Sequence, residues 1–497
     1  MSRGKDSNPG QYAVGLDSGT DGDVEKEASL NNQDIVDWDG PSDPNNPLNW
    51  PPRKRFGHIV IVAMLSMTVN LASTMFAPGV ESLSIEFELT TRTLATLSVT
   101  VYLLGFALGP MIISPLSELF GRLPVYHVAN VVFVAFVVGN ALSKNIAQFI
   151  VFRFLSGFAG ATPLTIGGGT IADVFPPKER GLAAALFGLG PLMGPVIGPV
   201  IGGFVAAAKG WRWTFWLMAI IGGAVGVISV VFMRETNPYT LLERKAARLR
   251  AATGNENLKS KLARPISSRQ LLLQALTRPT MLLLFSPIVL IMSLYVALVF
   301  GLLYLLFTTF TDVFEGQYGW SSNISGLAYL GLGIGELLGL VVFGALDNRV
   351  LQQRMKADGV THPRPEYRLI LMIWFSPVIG VGLLIYGWTA YYNTHWIAPL
   401  IGTLIVGFGS FFVIMPSQLY LVDLFGSKAA ASALGANILL RSLSGTFLPL
   451  AGPSMYDTLH FGWGNTLLGL LAFAFVPAPI FFYKYGEQLR SKTTIQF

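Results

Sequence analysis

A carboxyl group held among apolar residues can take up and release a proton, and Glu336 has that setting. It lies about 13 residues, or ~20 Å along a helix, into the apolar run 323–346. It is the only carboxylate well inside any of the long apolar runs. Burial disfavours its anion, and a nearby arginine favours it. Arg441 has a similar depth in the run 429–452, with Asn437 one turn before it. Arg153 lies inside the run 148–172, about five residues or ~8 Å from one end. Three readings of Glu336 stand: a proton carrier, a contact for a cationic substrate, or a carboxyl satisfied by its neighbours. Arg153 either faces inward, as buried charge in a span usually does, or snorkels to the near interface.

Other chemistries are poorly served. The chain has no cysteine, which removes disulfides, thiolate metal sites and cysteine nucleophiles. His58, His127, His362, His395 and His460 are too scattered to suggest a local metal motif. Gly167, Gly168 and Gly169 are not followed by Gly-Lys-Ser/Thr, so they form no phosphate loop. No nucleotide-binding domain is evident. The reading is of a non-enzyme with no metal and no cofactor, in which any pumping draws on an ion gradient.

The elements that position these residues are membrane spans. Of the 497 residues 52% are hydrophobic and 12% charged, too little polarity to cover soluble domains of this length. A spanning helix needs about 20 mainly apolar residues. Twelve runs qualify: 56–78, 94–114, 124–142, 148–172, 181–207, 213–233, 280–307, 323–346, 369–388, 395–422, 429–452 and 463–483. They form two halves of six, 56–233 and 280–483, flanked by tails 1–55 and 484–497. The first tail is acidic and polar and reads as disordered. It has no apolar run near Met1 and so is not a signal peptide.

The 34 Lys and Arg fall on the side of the termini, apart from Arg92, Lys144, Lys209 and Arg212 on the other side and Arg153 and Arg441 within runs. The positive-inside rule makes both termini cytoplasmic. The net charge of +6 is then a topology signal, and nucleic acid is not an expected partner. The linker 234–279 contains LLERKAARLR, with Leu241, Leu242, Lys245 and Leu249 at helical spacing. It reads as a cationic amphipathic helix on the inner leaflet, serving as a strap between halves or merely as a basic linker.

The halves repeat at an offset of 250: Gly157 and Phe158 with Gly407 and Phe408, Asp173 with Asp423, Phe175 with Phe425, Lys178 with Lys428, Pro199 with Pro449, Gly202 with Gly452, Trp213 with Trp463. An offset of six spans keeps orientation, so the repeat is parallel. The fifth run reads GPLMGPVIGPVIGG. Gly190, Gly194, Gly198 and Gly202 recur every four residues and make one smooth stripe, with Gly203 beside it. Pro191, Pro195 and Pro199 each remove a backbone donor. Such a helix packs closely and can bend.

On these residues the chain resembles the major facilitator superfamily and, more narrowly, the twelve-span drug:proton antiporters of fungi, over about residues 38–490. The resemblance implies an all-α membrane fold of two six-helix bundles, with spans 1, 4, 7 and 10 lining a central path. It identifies the proline-glycine run as an antiporter signature. It gives Arg153 a part in proton coupling, and leaves His127 on a peripheral helix. Glu118, Gly121 and Arg122 in SPLSELFGRLP match a family loop motif, although Leu119 and Leu123 stand where basic residues are common. The implied latch pairs Arg122 with Asp173, and Asp347, Arg349 and Asp423 form a weaker copy.

Candidate substrate contacts are Asn70, Phe76, Tyr295, Phe300, Phe411, Phe412, Gln418 and Asn437. Their rings suit flat, apolar ligands and suit helix packing equally. Asn323 opens a glycosylation sequon at the very start of its run. The expected function is proton-driven export of a small, largely apolar compound, a drug or secondary metabolite, by a monomer in the cell membrane whose other partner is lipid. Rival readings are a polyamine or nutrient carrier and a non-transporting sensor.

Overall fold

The structure is a computed structural model that describes residues 34–263, 268–360 and 362–492. Among these, eleven helical runs are long and apolar enough to cross a membrane. Spans 1 to 6 are Pro52–Glu86, Arg92–Leu119, Arg122–Leu142, Ile146–Val174, Pro177–Lys209 and Arg212–Phe232. Spans 7 to 10 are Pro287–Gly316, Ser322–Ala357, Pro365–Tyr391 and Ile397–Gly426. The last run, Ala429–Leu489, has 61 residues. At 1.5 Å per residue it would extend ~90 Å, about three times the hydrocarbon core. The backbone leaves helical geometry at His460 (φ 55°, ψ 176°). Tyr456 and Asn465, nine residues apart, are hydrogen-bonded across that point. The chain therefore turns back there, giving span 11 before His460 and span 12 after it. Gly426 (φ 58°, ψ −166°) makes the corresponding break between spans 10 and 11.

The pairing of spans repeats between the halves. Span 1 packs on span 5 and span 7 on span 11; span 2 on 4 and 8 on 10; span 3 on 6 and 9 on 12. The halves meet where span 2 touches span 11 and span 5 touches span 8. One glycine pair matched at an offset of 250 does matching work. Gly157 lies against the Tyr102 carbonyl of span 2, and Gly407 against the Leu332 carbonyl of span 8. Spans 1 and 7 are the most enclosed, with 78% and 72% of their apolar windows buried, against 28% and 33% for spans 3 and 6. Val128, Val131, Val227 and Val230 on those two outer spans are exposed, as a lipid-facing belt requires.

The stripe on span 5 faces span 1. A Cβ at Gly194 would come 2.5 Å from Asn70 Cβ, and one at Gly198 would come 2.9 Å from the Leu71 carbonyl oxygen. Gly203 instead faces the backbone of Ser322 and Asn323 in the other half. Pro199 has no N–H to give the Pro195 carbonyl, and Thr74 Oγ1 of span 1 donates to that oxygen at 3.0 Å. The proline that frees the acceptor thus creates a tie between helices. At Gly202 any Cβ would overlap the Met75 carbonyl oxygen. Gly202→Val should therefore separate spans 1 and 5 and lower both membrane yield and detergent Tm sharply, while Gly188→Val, where nothing lies within 4 Å, should not. Equal loss at both positions would argue against stripe packing.

Two sequence expectations change. Span 7 begins at Pro287 and not near 280: a separate helix, Ser268–Phe285, precedes it, and Ser286 caps the new start. At its other end the span runs past 307 to Gly316, because Thr308 and Thr309 return their hydroxyls to carbonyls one turn back and the polar stretch stays helical. The acidic tail is also not wholly unstructured. Strand β1 (Ile35–Val36) pairs in parallel with β2 (Lys259–Ser260) of the linker. Lys261 meets Asp37 and Lys245 meets Asp39, both at 2.6 Å. Lys261 beside Asp37 holds that carboxyl below the usual carboxylate range. Trp50 is buried with Ile59, Val174, Phe175 and Ala183. Lys245 thus ties the tail to the linker helix Pro238–Thr253, and Trp50 anchors it on the ends of spans 1, 4 and 5. The second tail continues the helix Pro477–Lys492, and residues 1–33 and 493–497 lie outside the described residues.

Candidate functional site

Each half carries a charged clamp on the face from which span 1 starts. In the first half the chain reverses at Gly121, whose φ of +99° favours glycine and where a Cβ would strike the Glu235 carboxylate. That carboxylate accepts from the backbone N–H groups of Arg122 at 2.9 Å and Leu123 at 3.2 Å, the exposed donors that open span 3. Arg122 reaches Asp173 of span 4 at 3.3 Å and Ser117 of span 2 at 2.7 Å. The pair anticipated from the sequence is present, and Glu235 holds the helix start. Glu235 went unnoticed because it sits over a hundred residues downstream in the linker.

In the second half Arg368 bridges Asp347 at 2.5 Å and Asp423 at 2.9 Å. Arg349, expected in that role, is exposed. Asp347 and Arg349 are two apart and point to different sides of one helix, whereas Arg368 enters from the start of span 9.

Deeper in the membrane, Arg153 is 1% exposed and does not snorkel. Span 1 stops being α-helical after Thr74. Its last carbonyls lack helical partners, and Arg153 donates to those of Ala72 at 2.8 Å and Ser73 at 3.0 Å. Its Nε reaches the Ser98 carbonyl of span 2 at 3.4 Å, and the guanidinium lies over the rings of Tyr102 and Phe215. Ser73 also meets span 7: Tyr304 Oη donates to Ser73 Oγ at 3.2 Å. Arg153, Ser73 and Tyr304 thus form one connected group across the seam between halves. Tyr304 was absent from the sequence candidates. Its spacing of four from Phe300 was the available signal, and the rings do pack at 5.0 Å.

Glu336 is 9% exposed and makes no hydrogen bond or ion pair among the described residues. Its helix packs on span 10, where Gly335 and Gly407 bring the backbones together. The arrangement leaves the carboxyl free of any fixed partner. Arg441 on span 11 lies over Phe300 at 5.1 Å, with Nε buried and unpaired. Asn437, one turn before it, is 1% exposed, with neither amide atom partnered.

The remaining expected contacts divide. Asn70 is buried, packs on Gly194 and donates to the Ser66 carbonyl. Phe76 is enclosed by Phe149, Trp211 and Phe215, so it is a packing ring at the far end of the first half. Tyr295 stacks on Phe475 at 5.4 Å. Phe411 and Phe412 pack with Phe343, Phe375 and Phe408. Gln418 is half-buried on span 10, and His127 half-buried on span 3 with Nε2 unpaired. Asn323 sits in a single helical turn beside Gly203 of span 5, at the far-face contact between halves. The longer span 7 also carries Asp312 and Glu315, which the run ending at 307 had excluded.

Twelve crossings in two like halves, clamped at one face and holding buried charge near their seam, define a transporter fold. The chain belongs to the Major Facilitator Superfamily, whose sequence pattern matches residues 62–449. It is 55% identical over 457 residues to the MFS transporter fsa7 of Fusarium sp., covering 92% of this chain and 89% of that one. It is 49% identical over 460 residues to the Trichosetin biosynthesis cluster MFS transporter of Gibberella fujikuroi, covering 93% and 89%. A crystal structure of a D-xylose-proton symporter shares the fold, with a TM-score of 0.66 over 86% of this chain and 97% of that one, at 16% identity. The protein is a multi-pass membrane transporter.

Proposed function

We propose that the chain exports a small, largely apolar compound of the fungal secondary-metabolite class in exchange for protons, with its termini in the cytoplasm of the cell. The observation that carries this reading is Glu336, a carboxyl enclosed in a span and bound to nothing that would fix its protonation state. A relative named for a biosynthetic cluster supports the class of cargo. The positive side of the chain supports the orientation. Glu336 loads a proton from outside and releases it inside, and cargo leaves in the opposite sense as the halves rock about the seam.

The test uses everted plasma-membrane vesicles from a host expressing the full chain, with an acid interior and the culture extract of the source organism outside. Mass spectrometry of the vesicle contents should show at least one compound concentrated only with the chain and only while the gradient lasts. Vesicles that concentrate nothing, or that concentrate it equally after a protonophore, would remove proton-driven export. A polyamine or nutrient carrier would instead concentrate a polar compound.

A further inference from the structure

Arg153 and Arg441 lie deep inside their spans, and they are treated in opposite ways. Each nitrogen of Arg153 donates to a carbonyl, those of Ala72, Ser73 and Ser98. Arg441 has no carboxylate or carbonyl partner among the described residues; its Nε is buried and unpaired, and the guanidinium lies over the Phe300 ring at 5.1 Å. Asn437, one turn away on the same face, is 1% exposed and has both Oδ1 and Nδ2 unpartnered. Asn465 on span 12 shows what a structural amide does here: Nδ2 donates to the Phe461 carbonyl at 2.9 Å and Oδ1 accepts from Tyr456 at 3.2 Å. A buried amide with nothing to bond, next to a half-buried cation with no counter-ion, costs the fold stability. One further turn along the same face, Gly445 lies against Leu103 of span 2 and Phe300 of span 7, so this face of span 11 looks into the seam between the halves.

We propose that Asn437 and Arg441 form a recognition subsite for an anionic head group, a carboxylate or comparable organic anion, on an otherwise apolar cargo. This rests on the transport reading above. Arg441 offers a forked pair of donors suited to an anion. The Asn437 amide gives a further donor and accepts any hydrogen the head group carries. The Phe300 ring lies beside them for the apolar body. Glu336 does not compete for the cation, because it lies on span 8 against span 10 and makes no bond to Arg441. A cationic cargo would leave both free donors of span 11 unmatched.

The test measures binding without a gradient, so it fails independently of proton coupling. Detergent-purified full-length protein is melted with equal concentrations of 2-naphthoate or of (2-naphthylmethyl)trimethylammonium. The naphthoate should raise Tm by several degrees and the ammonium should not. Arg441→Gln and Asn437→Leu should each abolish the naphthoate shift. Asn437→Leu should leave unliganded Tm unchanged or raised, because it removes an unpaired amide, while Asn465→Leu should lower it. The proposal is overturned by no naphthoate shift in the wild type, by an equal shift with the ammonium, or by a shift that survives both variants. It is also overturned if Asn437→Leu destabilises the empty protein as much as Asn465→Leu. Naphthoate binding that depends on Arg441, in a protein that concentrates nothing in vesicles, would remove proton coupling and leave the subsite standing.

Discussion

Glu336→Gln is expected to abolish uphill accumulation completely while leaving downhill exchange of the same cargo in place. Glutamine keeps the shape of the side chain and cannot ionise. Glu336 holds no hydrogen bond or ion pair that the change would break, so Tm should hardly move. Loss of pumping without loss of folding is what a proton carrier predicts. A carboxyl satisfied by its neighbours would give the reverse, a less stable protein that still pumps at whatever level it folds. A contact for a cationic substrate would weaken exchange and uphill transport together. Proteoliposomes with an imposed pH gradient, measured beside gradient-free counterflow, separate the three. Uphill transport at the normal rate in the Gln variant would sink the assignment, and the search would move to the carboxylates at the span ends. Asp173→Asn is a poor substitute test, because Asp173 pairs with Arg122 and any effect would mix coupling with the clamp.

Much of the architecture was legible because membrane spans write themselves as long apolar runs, and the backbone cannot cross lipid in any other state than a helix or a closed barrel. The offset of 250 was legible for the same physical reason it exists: Gly157 and Gly407 must each let a neighbouring carbonyl approach. What escaped were features set by side-chain direction and long-range pairing. Hydropathy ended span 7 where its polar residues began, and so missed the helix that carries Asp312 and Glu315. Local sequence offered Arg349 for the second clamp, while the chain used Arg368 from the next span. Among the aromatic residues, composition could not distinguish Phe76, locked in a ring cluster, from Phe300, which faces Arg441. Arg153 was correctly found as costly buried charge, but its partners are backbone carbonyls, which carry no residue identity to read.

Those carbonyls make a sharp prediction for Arg153→Lys. The guanidinium bonds two carbonyls of span 1 with separate nitrogens, reaches span 2 with a third, and lies over the rings of Tyr102 and Phe215. An ammonium is a compact point charge that cannot do all of this at once. The substitution keeps the cost of a buried cation and loses part of what offsets it, about 2 kcal/mol for one charge-assisted bond. Arg153→Lys should therefore lower Tm by several degrees. Arg153→Met, which removes the charge but leaves the Ala72 and Ser73 carbonyls unbonded, should not restore stability. Transport should suffer more than folding in both variants. The carbonyl of Ser73 is fixed by Arg153 and its hydroxyl meets Tyr304, so loosening the end of span 1 loosens the contact through which the halves register. Measured at a temperature where each variant remains folded, exchange as well as uphill transport should fall, unlike the pattern expected at Glu336. Tyr304→Phe, which removes the hydroxyl and keeps the ring, should share the transport defect and spare Tm. A fully active and fully stable Arg153→Lys protein would show that a positive charge alone is needed there and that the span-1 carbonyls are satisfied in some other way.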